Sequence, residues 1–381
     1  MKGNKGDWSE IYVFLKLLAD GRLNAADADL NAITEIYYPL IKILRQEADK
    51  RHEYICNDTI KVVNGDTKEI LLELPVSVFV EKSQLLFKNL KASSGLSIQF
   101  PEIEKFLNSI RVNTLSAASL DKSDIKIVVH DFNTGTNPTF GFSIKSMIGS
   151  DSTLFNPAAG TNFIFKLIKP EGFEFDLKKF NTETLRLTEG TKRSKITLRL
   201  IEIEKFGFKC EFVKIQSENL QLNLQLIDSQ LPEIISYLIY YKFYTGKSKV
   251  TDLLYMLNEQ NPLKFNLASG HPFYEYKLKN FLSEVALGMT PEAVFTGKYD
   301  ATGGIIIVKE DGDIVCYHIY NKNEFQIYLI NNTKLDQPST SEDNQNPGFE
   351  KIGKSKPYKY GWVYEQKGEL FIKLNLQIRF T

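Results

Sequence analysis

Two short apolar runs constrain this chain more than any other feature: residues 124–130 (DIKIVVH) and 140–148 (FGFSIKSMI). The first alternates with a bias to β-branched residues, and the turn-rich stretch 133–138 joins it to the second, so the two are expected to pair as neighbouring strands. The segments before them are mostly helical. Residues 8–20 put Trp8, Ile11, Phe14, Leu15 and Leu18 on one helical face, with Glu10 on its flank and Gly21 as the stop. Residues 53–63 alternate loosely and end at the hairpin turn Asn64-Gly65, and helices are expected at 76–90 and 101–110. After the pair, β structure is expected at 162–168 and 196–215. Helices follow at 228–244, with Pro232 in the first turns, and at 250–257 and 274–287. The tail returns to strands at 304–309, at 314–320 after the turn Asp311-Gly312, and at 371–380. Residues 337–348 (QPSTSEDNQNPG) are the one low-complexity stretch, expected as a mobile loop. Helices, a β-rich core, more helices and terminal hairpins make an α+β order rather than a repeated βαβ.

Composition narrows the class. The chain has 381 residues, 43% of them apolar, and equal numbers (47 each) of basic and acidic side chains. That is enough apolar material for a core, and the length suits two domains. No apolar run reaches the ~18 residues of a membrane helix, and MKGNKGDWSE carries no secretory signal. Three scattered cysteines (Cys56, Cys210, Cys316) form no disulfide framework or cysteine-rich zinc site and fit a reducing cytoplasm. The zero net charge hides asymmetry. Residues 186–214 hold eight basic and four acidic side chains, and 351–381 hold seven and two, whereas 336–350 hold four acids and no base. Local basic stripes are compatible with a nucleic-acid cleft or with solvated strand faces.

The common catalytic signatures are absent: no GxxxxGK[ST], GxSxG, HExxH or CxxC. Gly303-Gly304 precedes a strand rather than a helix, which indicates a tight turn and not a dinucleotide site. A carboxylate-plus-lysine pattern remains. In many Mg²⁺-dependent nucleases an aspartate opens one strand, and a [D/E]xK triplet on its hairpin partner puts residues one and three on the same face. Carboxylates ligate the hard cation, and the lysine orients the attacking water and offsets phosphate charge. The triplet alone carries little weight, recurring at Asp124-Ile-Lys126, Asp176-Leu-Lys178, Glu275-Tyr-Lys277 and Glu365-Gln-Lys367 about as often as chance allows. Context favours a place with no perfect triplet. Asp124 opens the first apolar run, and the second reads Phe142-Ser143-Ile144-Lys145-Ser146, with Ser143 where an acid is expected and Lys145 among apolar neighbours.

Longer segments then resemble HpaII-type restriction endonucleases: GDWSE with IYVFLKLLADG, GFSIKSMIGSDSTLFNPAAGTNFIF, DATGGIIIVKEDGDIVCYHIYN and the closing FIKLNLQIRF, which together span nearly the whole chain. The resemblance implies a restriction-endonuclease-like PD-(D/E)xK core, a mixed β-sheet flanked by helices with extra helical and hairpin elements. It implies Mg²⁺-dependent hydrolysis of duplex DNA at CCGG. It assigns a nuclease core to 1–220 and a helical then β-rich region lining the DNA cleft to 221–381. Asp124 is then the metal-binding aspartate and Lys145 the catalytic lysine. Because the Ser143 hydroxyl is a weak ligand, a second carboxylate should compensate: Glu10 first, with Asp131 as the alternative although its odd spacing from Asp124 puts it on the opposite strand face. Asn156, Thr161 and Asn162 in the polar loop after the catalytic strand, and the basic cluster Lys192, Arg193, Lys195 and Arg199, are the candidate DNA contacts. The aromatic run 237–244 is expected in the core. The implied partners are double-stranded DNA and a companion cytosine methyltransferase; a symmetric target favours a homodimer over a monomer that nicks successively. The competing expectations are a weakened, DNA-binding nuclease fold, favoured by Ser143, and a nuclease without sequence preference.

Overall fold

A computed structural model describes the chain except residues 49, 96, 117–122, 133, 150, 187–192 and 339–359. Much of the low-complexity stretch 337–348 therefore lies outside the described residues. The chain divides into two compact units. The first comprises Met1–Ser152, Ala286–Gly288 and Lys298–Tyr328, and the second Thr153–Val285, Met289–Gly297 and Leu329–Thr381. The units part at Ser152 rather than at the expected 220. Residues 298–328 return to the first unit because its sheet needs their strands.

The first unit begins with helix α1 (Lys5–Asp20). Asn4 and Asp7 form a reciprocal capping box at its start, and Gly21 ends it in the left-handed region at φ 64°. Its strands are β1 (Arg22–Ala26), β2 (Ala32–Glu47), β3 (Lys50–Cys56), β4 (Thr59–Asn64), β5 (Ile70–Pro75), β6 (Ile125–Val129), β7 (Thr139–Ser146), β8 (Gly304–Val308) and β9 (Ile314–His318). They form a mixed sheet in the order β1-β9-β8-β7-β6-β2-β3-β4-β5. β8 runs parallel to β7 and β1 parallel to β9; the other neighbours are antiparallel. β1 also pairs with the first half of β2, which closes the pairings from β1 round to β2 into a ring. Helices α2 (Val76–Ala92) and α3 (Pro101–Ser109) complete the unit. Trp8, Phe14, Tyr54, Phe79 and Phe142 are fully buried in one core built on α1 and the even-numbered face of β7. That core accounts for the helical period of α1 and the two-residue period of β7 together.

Gly303-Gly304 opens β8. Gly304 has φ 109°, and a Cβ there would lie 2.0 Å from the Tyr317 carbonyl oxygen; one on Gly303 would lie 2.5 Å from the Phe142 ring. Only glycine meets both requirements.

The second unit contains a four-stranded antiparallel sheet in the order Lys209–Ile215, Asn162–Ile168, Glu369–Asn375, Val363–Gln366. A smaller sheet of Thr333–Leu335, Ile378–Phe380 and Thr153–Phe155 adjoins helix Val250–Gln260, while helices Glu218–Ile227 and Leu231–Thr245 pack against the strand Lys209–Ile215 of the larger sheet. The aromatic run 237–244 lies on the helix Leu231–Thr245, with Phe243 fully buried. One expected strand is corrected. Residues 196–215 divide into a helix, Lys195–Lys205, and the strand Lys209–Ile215. Ser194 caps that helix through the Thr197 amide, and Ile196, Leu200 and Ile203 turn inward at helical spacing. No helix among the described residues is long and apolar enough to cross a membrane.

Candidate active site

The geometry at the start of β6 follows from sheet register. Ile125 pairs with Phe142, so Asp124, one residue earlier, stands opposite Ser143. The Asp124 amide donates to the Phe142 carbonyl at 2.9 Å, and its Oδ2 accepts from the Ser143 hydroxyl (3.1 Å) and the Ile144 amide (2.6 Å). Both donors use the same oxygen, and no donor among the described residues reaches Oδ1. Lys145 lies two residues beyond Ser143, on the same face. It is half-buried, with no hydrogen-bond or ion-pair partner among the described residues. The parallel register sets Ser143 beside Ile305 and Lys145 beside Ile307, both buried. The strand pair therefore presents an aspartate oxygen, a hydroxyl and an ammonium in an apolar setting.

Glu10, on α1, faces the same place. It is half-buried and accepts from the Ser116 hydroxyl at 3.2 Å. Burial first, and then the negative charge of Asp124, push its carboxyl up from the usual 4.5 to about 7; the Ser116 hydrogen bond acts in the opposite sense. Two carboxylates are thus held within electrostatic reach in a partly desolvated place, an arrangement a cation would relieve. No cluster of three or more His, Cys, Asp or Glu able to hold a metal occurs among the described residues. The donor set is two carboxylates and a hydroxyl. That suits Mg²⁺, which keeps most of its waters and takes one or two carboxylates with substrate phosphate, better than zinc or calcium.

Asp131 lies past the far end of β6. It is fully buried, accepting from the Thr134 and Tyr320 hydroxyls at 2.9 and 3.2 Å. It is therefore a loop-anchoring acid away from Asp124.

The expected DNA contacts divide. Asn156 and Arg193 are exposed and Lys195 half-exposed, while Lys192 lies outside the described residues. Thr161 and Asn162 are fully buried: Thr161 bonds Ala158 and Asn375, and Asn162 bonds Asn375 and Gln216. Arg199 is also buried, its guanidinium 3.7 Å over the Trp362 ring and donating to the Gly361 carbonyl at 2.6 Å. These three side chains face inward because they satisfy polar groups inside the second unit, and in this fold they offer no surface to a ligand.

The strand pair and the helix carboxylate beside it are the candidate site; comparison with known proteins gives the class. The chain belongs to the HpaII restriction endonuclease family, whose sequence profile matches residues 4–380. It is 42% identical over 379 residues to the type II restriction enzyme HpaII of Haemophilus parainfluenzae, covering 99% of this chain and 98% of that protein. No solved structure gives a significant match. The protein is a site-specific DNA endonuclease of the type II restriction class.

Proposed function

We propose that the chain cleaves duplex DNA at CCGG through a PD-(D/E)xK-type centre made by Asp124, Ser143, Lys145 and Glu10. The observation that carries this reading is the convergence of Asp124, Ser143 and Lys145 on one strand face; the Glu10 carboxyl, raised by burial and then by the charge of Asp124, is consistent with it. Asp124, through Oδ1, and Glu10 would hold Mg²⁺. When bound, the ion supplies charge neutralisation at the scissile phosphate and acidifies the attacking water. Ser143 fixes the Asp124 carboxylate by its hydrogen bond to Oδ2, so the hydroxyl orients a ligand where other nucleases place a second acid. Lys145, with no partner among the described residues to draw it away, offsets the growing negative charge on the phosphate and helps align the water. The apolar neighbours Ile305 and Ile307 thin the water around it and strengthen that interaction. A symmetric target requires two cuts, which a two-fold dimer provides in one encounter. A companion cytosine methyltransferase acting on the same site would protect the host's own DNA.

Glu10→Gln, Asp124→Asn and Lys145→Ala test the assignment on a duplex with a single CCGG. Each should lower the single-turnover cleavage rate by about a hundredfold or more, the scale of losing a preorganised electrostatic contact. Specific binding measured without Mg²⁺ should survive in all three. Equal loss of binding and cleavage would make these residues structural.

A further inference from the structure

Glu10 is not held in place by its helix alone: the Ser116 hydroxyl holds its carboxylate, and a buried ion pair lies behind Ser116. On β2, Arg45 and Glu47 are both buried, and the Arg45 Nε donates to the Glu47 Oε1 at 2.6 Å. Two residues apart on a strand, they share one face. Each uses its remaining capacity on the same segment, 113–116. The Arg45 Nη2 donates to the carbonyls of Thr114 and Leu115, the latter at 3.2 Å. The second Glu47 oxygen accepts from the Asn113 amide at 3.2 Å and from the Thr114 hydroxyl at 3.1 Å. The Thr114 hydroxyl also lies 2.7 Å from the Ser116 carbonyl. Val112 and Leu115 anchor the segment in the core. At its end the Ser116 hydroxyl donates to Glu10. The Arg45 guanidinium meanwhile lies 5.8 Å from the Phe14 ring, one helical turn beyond Glu10 on α1.

From this we infer that Arg45 and Glu47 are positioning residues for the catalytic carboxylate, acting through the segment 113–116 and Ser116. The inference rests on the reading of Glu10 as a metal-holding group. Burying a charged pair is costly unless its hydrogen bonds are satisfied in place, and here nearly every one ends on the backbone or side chains of a single short segment. The pair therefore fixes that segment more firmly than packing would. Ser116, itself exposed, transmits the constraint to Glu10 by one hydrogen bond. This is the arrangement by which groups outside the ligand set orient the ligands of a metal site.

Ser116→Ala is the direct test, because removing an exposed hydroxyl leaves the fold intact. Arg45→Lys is the second variant: it keeps the buried charge and loses the fork that grips two carbonyls. Three quantities are read on the full-length protein: Mn²⁺ binding by calorimetry without DNA, the Mg²⁺ concentration at half-maximal cleavage rate, and thermal melting in EDTA. Ser116→Ala should weaken Mn²⁺ binding about tenfold and raise the half-saturating Mg²⁺ by a similar factor, with melting unchanged. Ser116→Thr, which keeps the hydroxyl, should restore both. Arg45→Lys should show the same shift in metal dependence. Wild-type metal binding in Ser116→Ala and Arg45→Lys, alongside a Glu10→Gln variant that has lost it, would overturn the positioning role and leave Glu10 assigned. Wild-type metal binding in all three would overturn Glu10 as a ligand and the positioning role with it.

Discussion

At the scale of single residues, the candidate site separates groups that the proposed chemistry needs accessible from groups the fold needs buried. Lys145 and Glu10 keep part of their surface; Arg45, Glu47 and Asp131 keep almost none. His318 is the clearest buried titratable group away from the site. It is fully buried among the Tyr38, Phe140, Phe142 and Tyr320 rings, and its Nδ1 accepts from the Tyr320 amide at 3.1 Å. Burial pulls its pKa from 6.5 down to about 4, against a smaller opposing pull from Asp131. The folded protein thus keeps this imidazole neutral where the unfolded chain already binds a proton. Between about pH 6.5 and 4 the unfolded state holds more protons, so stability falls as pH drops through that window and is present in full above it. The loss should approach roughly 2–3 kcal/mol by pH 4. Urea unfolding at pH 7.5 and pH 4.5 of wild type and His318→Phe measures it. The variant should lose clearly less stability on acidification; equal losses would mean that His318 does not contribute.

At the scale of elements, β7 holds the site, and its neighbour β8 holds β7. The glycine pair opening β8 is where that support is most exacting. Gly304→Ala would place a methyl group 2.0 Å from a carbonyl oxygen in a backbone region that L-residues avoid. It should cost about 3 kcal/mol or more, read as a lower midpoint in urea. A midpoint within error of wild type would show that this end of β8 yields without penalty. The strands around the site were legible in sequence because apolar alternation and turn residues agreed there: 124–130 with 140–148, and 304–309 with 314–320. So was α1, whose apolar face and terminal Gly21 both point to one helix. Of the elements that were not legible, two show why. Residues 196–205 (ITLRLIEIEK) alternate well enough to imitate a strand, and only the Ser194 cap marks the helix. β2 is interrupted by Pro39, which argues against a long strand. The structure tolerates it because β2 changes partners there: residues before Pro39 pair with β1, and those after it with β6 and β3. The site was legible only in part for the same reason. Asp124 and Lys145 lie on one hairpin, a local relation. The bond of Ser116 to Glu10, and the grip of Arg45 and Glu47 on 113–116, join segments that only tertiary folding brings together. Thr161, Asn162 and Arg199 were misplaced because a polar residue in a loop or basic cluster looks the same in sequence whether it meets solvent or another buried polar group.

At the scale of the whole molecule, Asp124, Ser143, Lys145 and Glu10 all belong to the first unit, as does the segment 113–116. The candidate DNA contacts that keep a surface, the exposed Asn156 and Arg193 and the half-exposed Lys195, belong to the second. The proposed chemistry and the candidate recognition residues thereby fall in different units of one chain, and cleavage at a defined sequence is the property that requires both. The most direct measurement is digestion of unmethylated phage DNA by the purified protein with and without Mg²⁺, followed by sequencing of the fragment ends. The account predicts discrete fragments whose ends all fall within CCGG, and intact DNA when EDTA replaces Mg²⁺. A smear, ends at other sequences, or DNA left intact in the presence of Mg²⁺ would contradict it.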